Sequence, residues 1–288
     1  FGVFYLESPA MRLLMAKAGV GDFRHAVVHS SIIRPAANAF IEEYLLRLKG
    51  KPWEPEHELL RGLFEESYGI PVYQEDVVRL TMKLCGYDYV EADKVRKCLG
   101  RRTAREEIGR MMPDLKKAAV ANGVTDERVL KSYENVLMSM IGYSFCKPHS
   151  ASYAQVSFES AYLRAHYPAA FIAAVLSNGG GYYSVQAYVS EAMRLGLAVL
   201  GPDVNASTVA WRSEGRRAVR TGLMAVSELS RTAMSAIVAG REKAGAYAGL
   251  DDFLRRTGLH AEDLRRLALV GALDSLAPGL NRPQLLWY

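Results

Sequence analysis

Lys147, His149 and Ser150 stand within four residues of one another in the segment IGYSFCKPHSASYAQVSFESAYLRAHYP, residues 141 to 168, just ahead of an aromatic-rich helical pattern. Lysine and histidine donate hydrogen bonds, Ser150 suits the N-cap of a helix, and the free N–H groups and dipole of a helix start attract anions. These residue types in this order suit phosphate binding. A capped surface helix with a solvated lysine would read the same way. A second basic group lies at 92 to 105, ADKVRKCLGRRTAR, where Lys94, Arg96, Lys97, Arg101, Arg102 and Arg105 face only Asp93. Its local excess equals the formal charge of +5 carried by the whole chain. Charge so concentrated favours a polyanion by steering and counterion release, the alternative being a solvated helical face.

The elements that position these groups are mostly helical. FIEEYLLRLKG places Phe40, Ile41, Tyr44, Leu45 and Leu48 on one face and ends at Gly50 and Pro52. Val77, Val78, Met82 and Leu84 form a second stripe, and Val129, Tyr133, Val136, Leu137 and Met140 a third. The pattern continues through Ala151 to Ala165, and Pro168 opens a further helix through Leu176. The glycines at 179 to 181 lack a following GK[ST], so they form a turn and not a P-loop. After a helix near 189 to 195, LAVLGPDVN, VAWRS and AVRTG read as short strands, the last two flanking the turn EGRR. Helices return from Glu228. This gives a mainly α chain, with a helical domain at 1–195 and a smaller helical domain carrying a short β-hairpin at 196–288.

A length of 288 residues, half of them hydrophobic, supports a substantial core and argues against disorder. Cys85, Cys98 and Cys146 are too few and too widely spaced for a disulfide framework, which points to a reducing, cytoplasmic setting. No run of about 20 apolar residues suggests a membrane span. The chain opens at Phe1 and closes on LLWY, and reads as a piece of a longer protein. A zinc site at Cys146 and His149 would have only two ligands, and a Cys146–His149 nucleophile would need an orienting carboxylate. His25, His29, His57, His166 and His260 have no motif context, so they pack or face solvent.

An ordered set of motifs carries a resemblance: GVFYLES with Met11, IIRP at 32 to 35, YGIPVYQEDV at 68 to 77, EADKVRKCLGRR at 91 to 102, GYSFCKPHSASYA at 142 to 154, AYLRAHYPAAF at 161 to 171, PDVN at 202 to 205, RTGLMAVSELS at 220 to 230 and GALDSL at 271 to 276. Together they span nearly the whole chain, which resembles the bacterial C-family DNA polymerases, the DNA polymerase III alpha subunits. The resemblance implies a helical polymerase fingers domain followed by a helix-hairpin-helix domain, within an enzyme that adds deoxynucleotides to a primer. It implies Mg2+ held by paired aspartates outside this chain, so that the fragment alone is inactive and contains no catalytic residue and no metal site. It also implies a template-primer DNA, a deoxynucleoside triphosphate, and, through the full-length protein, a sliding clamp and other replisome subunits, with no membrane.

By the same resemblance Arg96, Lys97, Arg101 and Arg102 lie against the incoming triphosphate, with Gly100 allowing a close backbone turn. Lys147, His149 and Ser150 belong to the second motif of that pocket, Tyr153 stacks near the base pair or sits in the core, and Arg34 lies near the active site. The chain departs from the family at Ala36 and Ala37, where glycine and proline are usual. It departs again at Ser227, Glu228, Leu229 and Ser230, where the family's hairpin uses glycines. Duplex contact is then expected from Arg231, Arg241 and Lys243. Two other classes fit the same residues: a non-catalytic helical nucleic-acid-binding module, and an accessory or mutagenic paralogue of the replicative subunit.

Overall fold

The computed structural model describes residues 1–33, 38–142 and 145–287. These residues form two compact units, one of Tyr5–Phe158 and one of Phe1–Phe4 together with the chain from Glu159 onward. None of their helices is long and apolar enough to cross a membrane.

The Tyr5–Phe158 unit is built from α1 (Pro9–Ala18), α2 (Phe23–Ile32), α3 (Asn38–Leu48), α4 (Gln74–Cys85), α5 (Tyr89–Leu99), α6 (Ala104–Ala121), α7 (Glu127–Ser139) and the start of α8 (Lys147–His166). Local chemistry sets several of these ends. Asp88 caps α5 and Glu91 closes the reciprocal capping box, while Asp126 caps α7. Gly86 ends α4 in the left-handed conformation that glycine adopts without strain. The stripes read from the sequence are the core. Leu84, Leu99, Ile108, Leu115, Tyr133, Leu137 and Met140 are at most 1% exposed and pack as one cluster from α4 to α7. Tyr133 also shares its hydroxyl with Thr81 across 2.8 Å, so the aromatic body is buried without stranding its polar end.

A second cluster gathers α2, α3 and the segment before α4 around Val28, Ile32, Tyr44, Val72 and Tyr73. His29, which has no motif context, is fully buried there and meets the Tyr44 hydroxyl through Nε2 at 3.1 Å. Burial pushes its pKa down to about 4, so the ring packs neutral.

The other unit contains α9 (Pro168–Asn178), α10 (Val185–Arg194), β1 (Ala198–Leu200), β2 (Arg212–Glu214), β3 (Ala218–Arg220), α11 (Arg231–Ala244), α12 (Leu250–Thr257), α13 (Ala261–Leu269) and α14 (Arg282–Leu285). The expected hairpin is β2 and β3, antiparallel across a turn with Gly215 at φ +64°, and Arg220 pairs with Glu214 at 2.8 Å. β1 adds a third strand parallel to β3, giving the order β1-β3-β2. Val219, at the centre of β3, is fully buried against Ile172 of α9 and Ala192 of α10. The C-terminal helices close a separate core around Phe253, Leu267, Ala272 and Ile237, each without exposed surface.

Candidate phosphate-binding site

The N-terminus of α4 is where the two basic segments meet. Asp76 closes it, its Oδ2 accepting the backbone N–H groups of Val72 at 2.8 Å and Tyr73 at 2.9 Å. Burial raises the Asp76 pKa to about 6 against the lowering effect of those two bonds. Directly above it, Tyr73 forms an isolated parallel bridge with Phe145, and the Gln74 N–H donates to the Phe145 carbonyl at 3.0 Å. The next residue, Glu75, accepts the backbone N–H of Lys147 at 3.2 Å. From the other side Arg96 of α5 donates to the Gln74 side-chain oxygen at 3.0 Å. The carbonyl of Leu99, at the end of α5, receives the Gly142 N–H at 2.9 Å. Three backbone or side-chain links therefore tie α4 to both basic segments, and one ties α5 directly to the approach to α8.

The individual cations are placed as follows. Arg96 and Lys97 both reach Asp93, at 2.6 and 2.8 Å, and these two partners hold its carboxyl below the usual range, Lys97 with the larger effect. Arg101 reaches Glu107 at 2.7 Å. Arg102 is exposed, and no carboxylate among the described residues pairs with it. Arg96 and Lys97 occupy the last turn of α5, where cations also offset the negative end of the helix dipole, so part of the basic run serves the helix itself. Gly100 does not use glycine's freedom: it sits at φ −82°, ψ −3°, open to any residue, and a Cβ there would touch nothing.

Lys147 and His149 lie exposed in the first turn of α8. Phe145, just ahead of that helix, and His149 and Tyr153 on it follow at spacings of four, with ring centroids 5.7 and 4.1 Å apart, and Tyr5 closes on Tyr153 at 5.2 Å. Ser150 is not the N-cap. Because α8 begins at Lys147, Ser150 lies inside the helix, 1% exposed, its hydroxyl 2.5 Å from that of Ser31 on α2. Pro148, tolerated in a first turn, is the signal that could have placed the start earlier. Arg34, with Pro35, Ala36 and Ala37, lies outside the described residues.

In the C-terminal module, Arg231 opens α11 and is exposed, as is Lys243 in its last turn. Arg241 donates to the Val204 carbonyl at 2.9 Å, an internal anchor beyond any external role. The hairpin ahead of α11 keeps a glycine-like backbone without glycine: Glu228 has φ +57°. Its carboxylate pairs with Arg266 of α13. Ser230 caps α11 and is itself fixed by Asp263, whose two oxygens accept the Ser230 N–H and hydroxyl at 3.0 Å each. Neither Glu228's partner nor that of Ser230 could be read from spacing, since both lie on the following helix pair.

Residues 1–123 match the family of the bacterial DNA polymerase III alpha subunit finger domain, and residues 196–285 match a helix-hairpin-helix motif family. DNA polymerase III subunit alpha of Neisseria meningitidis serogroup B is 31% identical, covering 99% of this chain and 25% of that protein. DNA polymerase III subunit alpha of Saccharopolyspora erythraea is 35% identical over 96% of this chain and 24% of its own length. An error-prone DNA polymerase of Symbiobacterium thermophilum is 32% identical over 99% of this chain and 29% of its own length. The chain thus spans about a quarter of the length of the curated relatives it matches.

Proposed function

We propose that this chain is the fingers and helix-hairpin-helix region of a bacterial DNA polymerase III alpha-type polymerase, a reading its two family matches and its relatives support, and that its two basic segments form one seat for an incoming deoxynucleoside triphosphate. The whole protein would be a DNA-directed DNA polymerase working on template-primer DNA in the cytoplasm. The observation that carries the reading is the shared anchorage at α4: adjacent residues, Gln74 and Glu75, hold Arg96 and the backbone of Phe145 and Lys147. Two clusters 40 and more residues apart in sequence are thereby fixed to one helix end.

In this reading Arg96, Lys97, Arg101 and Arg102 supply guanidinium forks and an ammonium to the phosphoryl oxygens, and Lys147 and His149 close the seat from α8. Phosphoryl transfer asks chiefly for positioning and charge neutralisation, which is what cations on rigid helices provide. Tyr153, tilted against His149 with ring centroids 4.1 Å apart, offers an aromatic face to a nucleobase. Ser150 supports the seat by tying α8 to α2 through Ser31, and Arg34 is assigned to the group on its motif alone. We set the functional boundary at 195 and 196, with Arg231 and Lys243 of the C-terminal module contacting duplex phosphates and Arg241 steadying the module from within.

The described residues contain no group of three or more His, Cys, Asp or Glu that could hold a metal ion. We assign the metal-bound step, and the contacts with a sliding clamp and other replisome subunits, to the rest of the whole protein. The purified 288-residue chain is accordingly expected to bind a deoxynucleoside triphosphate without extending a primed template in the presence of Mg2+. Gel-resolved primer extension checks this, and detectable product would refute it.

A further inference from the structure

Four cations of the proposed triphosphate seat, Arg96, Lys97, Arg101 and Lys147, are already paired with the protein's own carboxylates. Asp93 and Glu107 do this locally, from α5 itself and from the start of the helix that follows it. Glu66 is different: it comes from 81 residues away, and both its oxygens lie on the Lys147 ammonium, at 2.7 and 2.6 Å. Lys147 is at the same time held over the ring of Tyr73, 5.6 Å from its centroid, with its backbone N–H on Glu75. Two oxygens of one anion on one ammonium is the arrangement a phosphoryl group would make.

The segment that presents Glu66 is built for the purpose at a conformational cost. A single tight turn, Glu65–Ser67, is bracketed by Phe64 at φ +60° and Tyr68 at φ +54°, both non-glycine residues in the left-handed region. Ser67 is buried and pins the turn by donating to the Ile70 carbonyl at 2.6 Å, and Arg47 holds the Tyr68 carbonyl at 2.7 Å. The pair itself remains accessible, with 46% of the Lys147 side chain and 27% of the Glu66 side chain exposed. An ion pair at that depth is screened and exchangeable.

The geometry points to Glu66 as a phosphate surrogate: a positioning residue that holds Lys147 in the triphosphate-free state and is displaced when phosphoryl oxygens take its place. This rests on the triphosphate reading and adds a sign to it. A residue that merely builds the pocket loses affinity when neutralised, whereas a competitor gains it.

The test is calorimetric binding of a deoxynucleoside triphosphate to the 288-residue chain, in four forms: unaltered, Glu66→Gln, Lys147→Ala and the double variant. Glu66→Gln is expected to tighten binding roughly three- to tenfold, and the gain should vanish in the Lys147→Ala background. Unchanged or weaker binding by Glu66→Gln, with Lys147→Ala still costing affinity, overturns the surrogate role and leaves the seat standing. A gain that persists without Lys147 also overturns it, because Glu66 would then act by bulk charge alone. No binding by any form removes the seat and the surrogate together.

Discussion

Arg101→Ala combined with Arg102→Ala is expected to weaken deoxynucleoside triphosphate binding by about 30- to 100-fold, while binding to duplex DNA falls by less than about threefold. The asymmetry follows from where the two residues sit. They lie at the α5–α6 junction, whose neighbours are the α4 N-terminus and the approach to α8, where the other proposed phosphate ligands lie. Duplex contact is assigned instead to Arg231 and Lys243 on α11. Arg102 contributes the larger share, because Arg101 already spends a donor on Glu107 at 2.7 Å. Titrations with each ligand at two salt concentrations read both losses. Parallel losses, with the duplex salt slope reduced by one or two charges, would mean that this junction is a general backbone patch and not a triphosphate ligand.

Phe253→Ala is expected to destabilise the C-terminal module by about 3–5 kcal/mol, with duplex binding lost as its helices loosen. Phe253 has no exposed surface and meets Tyr247 edge-on at 4.9 Å, in a core shared with Ile237, Leu267 and Ala272. Arg256 lies over the outer face of Tyr247 at 4.2 Å, and the Tyr247 hydroxyl donates to the Ile237 carbonyl at 2.7 Å. The aromatic pair therefore joins α12 to α11, and truncation leaves a cavity in this core. Urea denaturation followed by circular dichroism reads the shift, and Phe253→Leu, which keeps most of the volume, should cost about 1–1.5 kcal/mol. A loss below 1 kcal/mol for the alanine variant would show that this core is not what orders α11 and α12.

The helices and much of the core are legible in the sequence because their signal is periodic. Val129, Tyr133, Val136, Leu137 and Met140 repeat at helical spacing, and that spacing alone puts them on one buried face. The types of the proposed phosphate ligands are legible for a related reason, since a basic excess stands out against a nearly neutral chain. What spacing does not show is which carboxylate each cation meets. Glu66 with Lys147, Gln74 with Arg96 and Ser31 with Ser150 are pairs between distant residues that leave no period behind. At Glu191, buried at 3% exposure, the i,i+3 partner Arg194 follows helical spacing and is the main cause of its pKa falling to about 2, whereas the distant partner Arg164 leaves no such signal.

The local errors have local causes. Ser150 looks like a cap, but Pro148 already starts the helix, and a hydroxyl inside α8 serves packing instead. Gly100 looks like a turn residue, yet an ordinary right-handed conformation closes α5 there. At the altered hairpin the reverse occurs: a residue other than glycine takes the left-handed conformation, Glu228 having φ +57°. A left-handed glutamate costs strain that glycine would not. Its pairing with Arg266 turns the replacement into a contact between the hairpin and α13.

The central claim is that two segments far apart in sequence make one triphosphate seat. Amide hydrogen exchange of the 288-residue chain, with and without a saturating deoxynucleoside triphosphate, tests it most directly. The account predicts that residues 96–105 and 145–153 gain protection together on adding triphosphate, and that duplex DNA alone does not reproduce the pattern. Protection of one segment without the other, or equal protection by duplex and triphosphate, would contradict it.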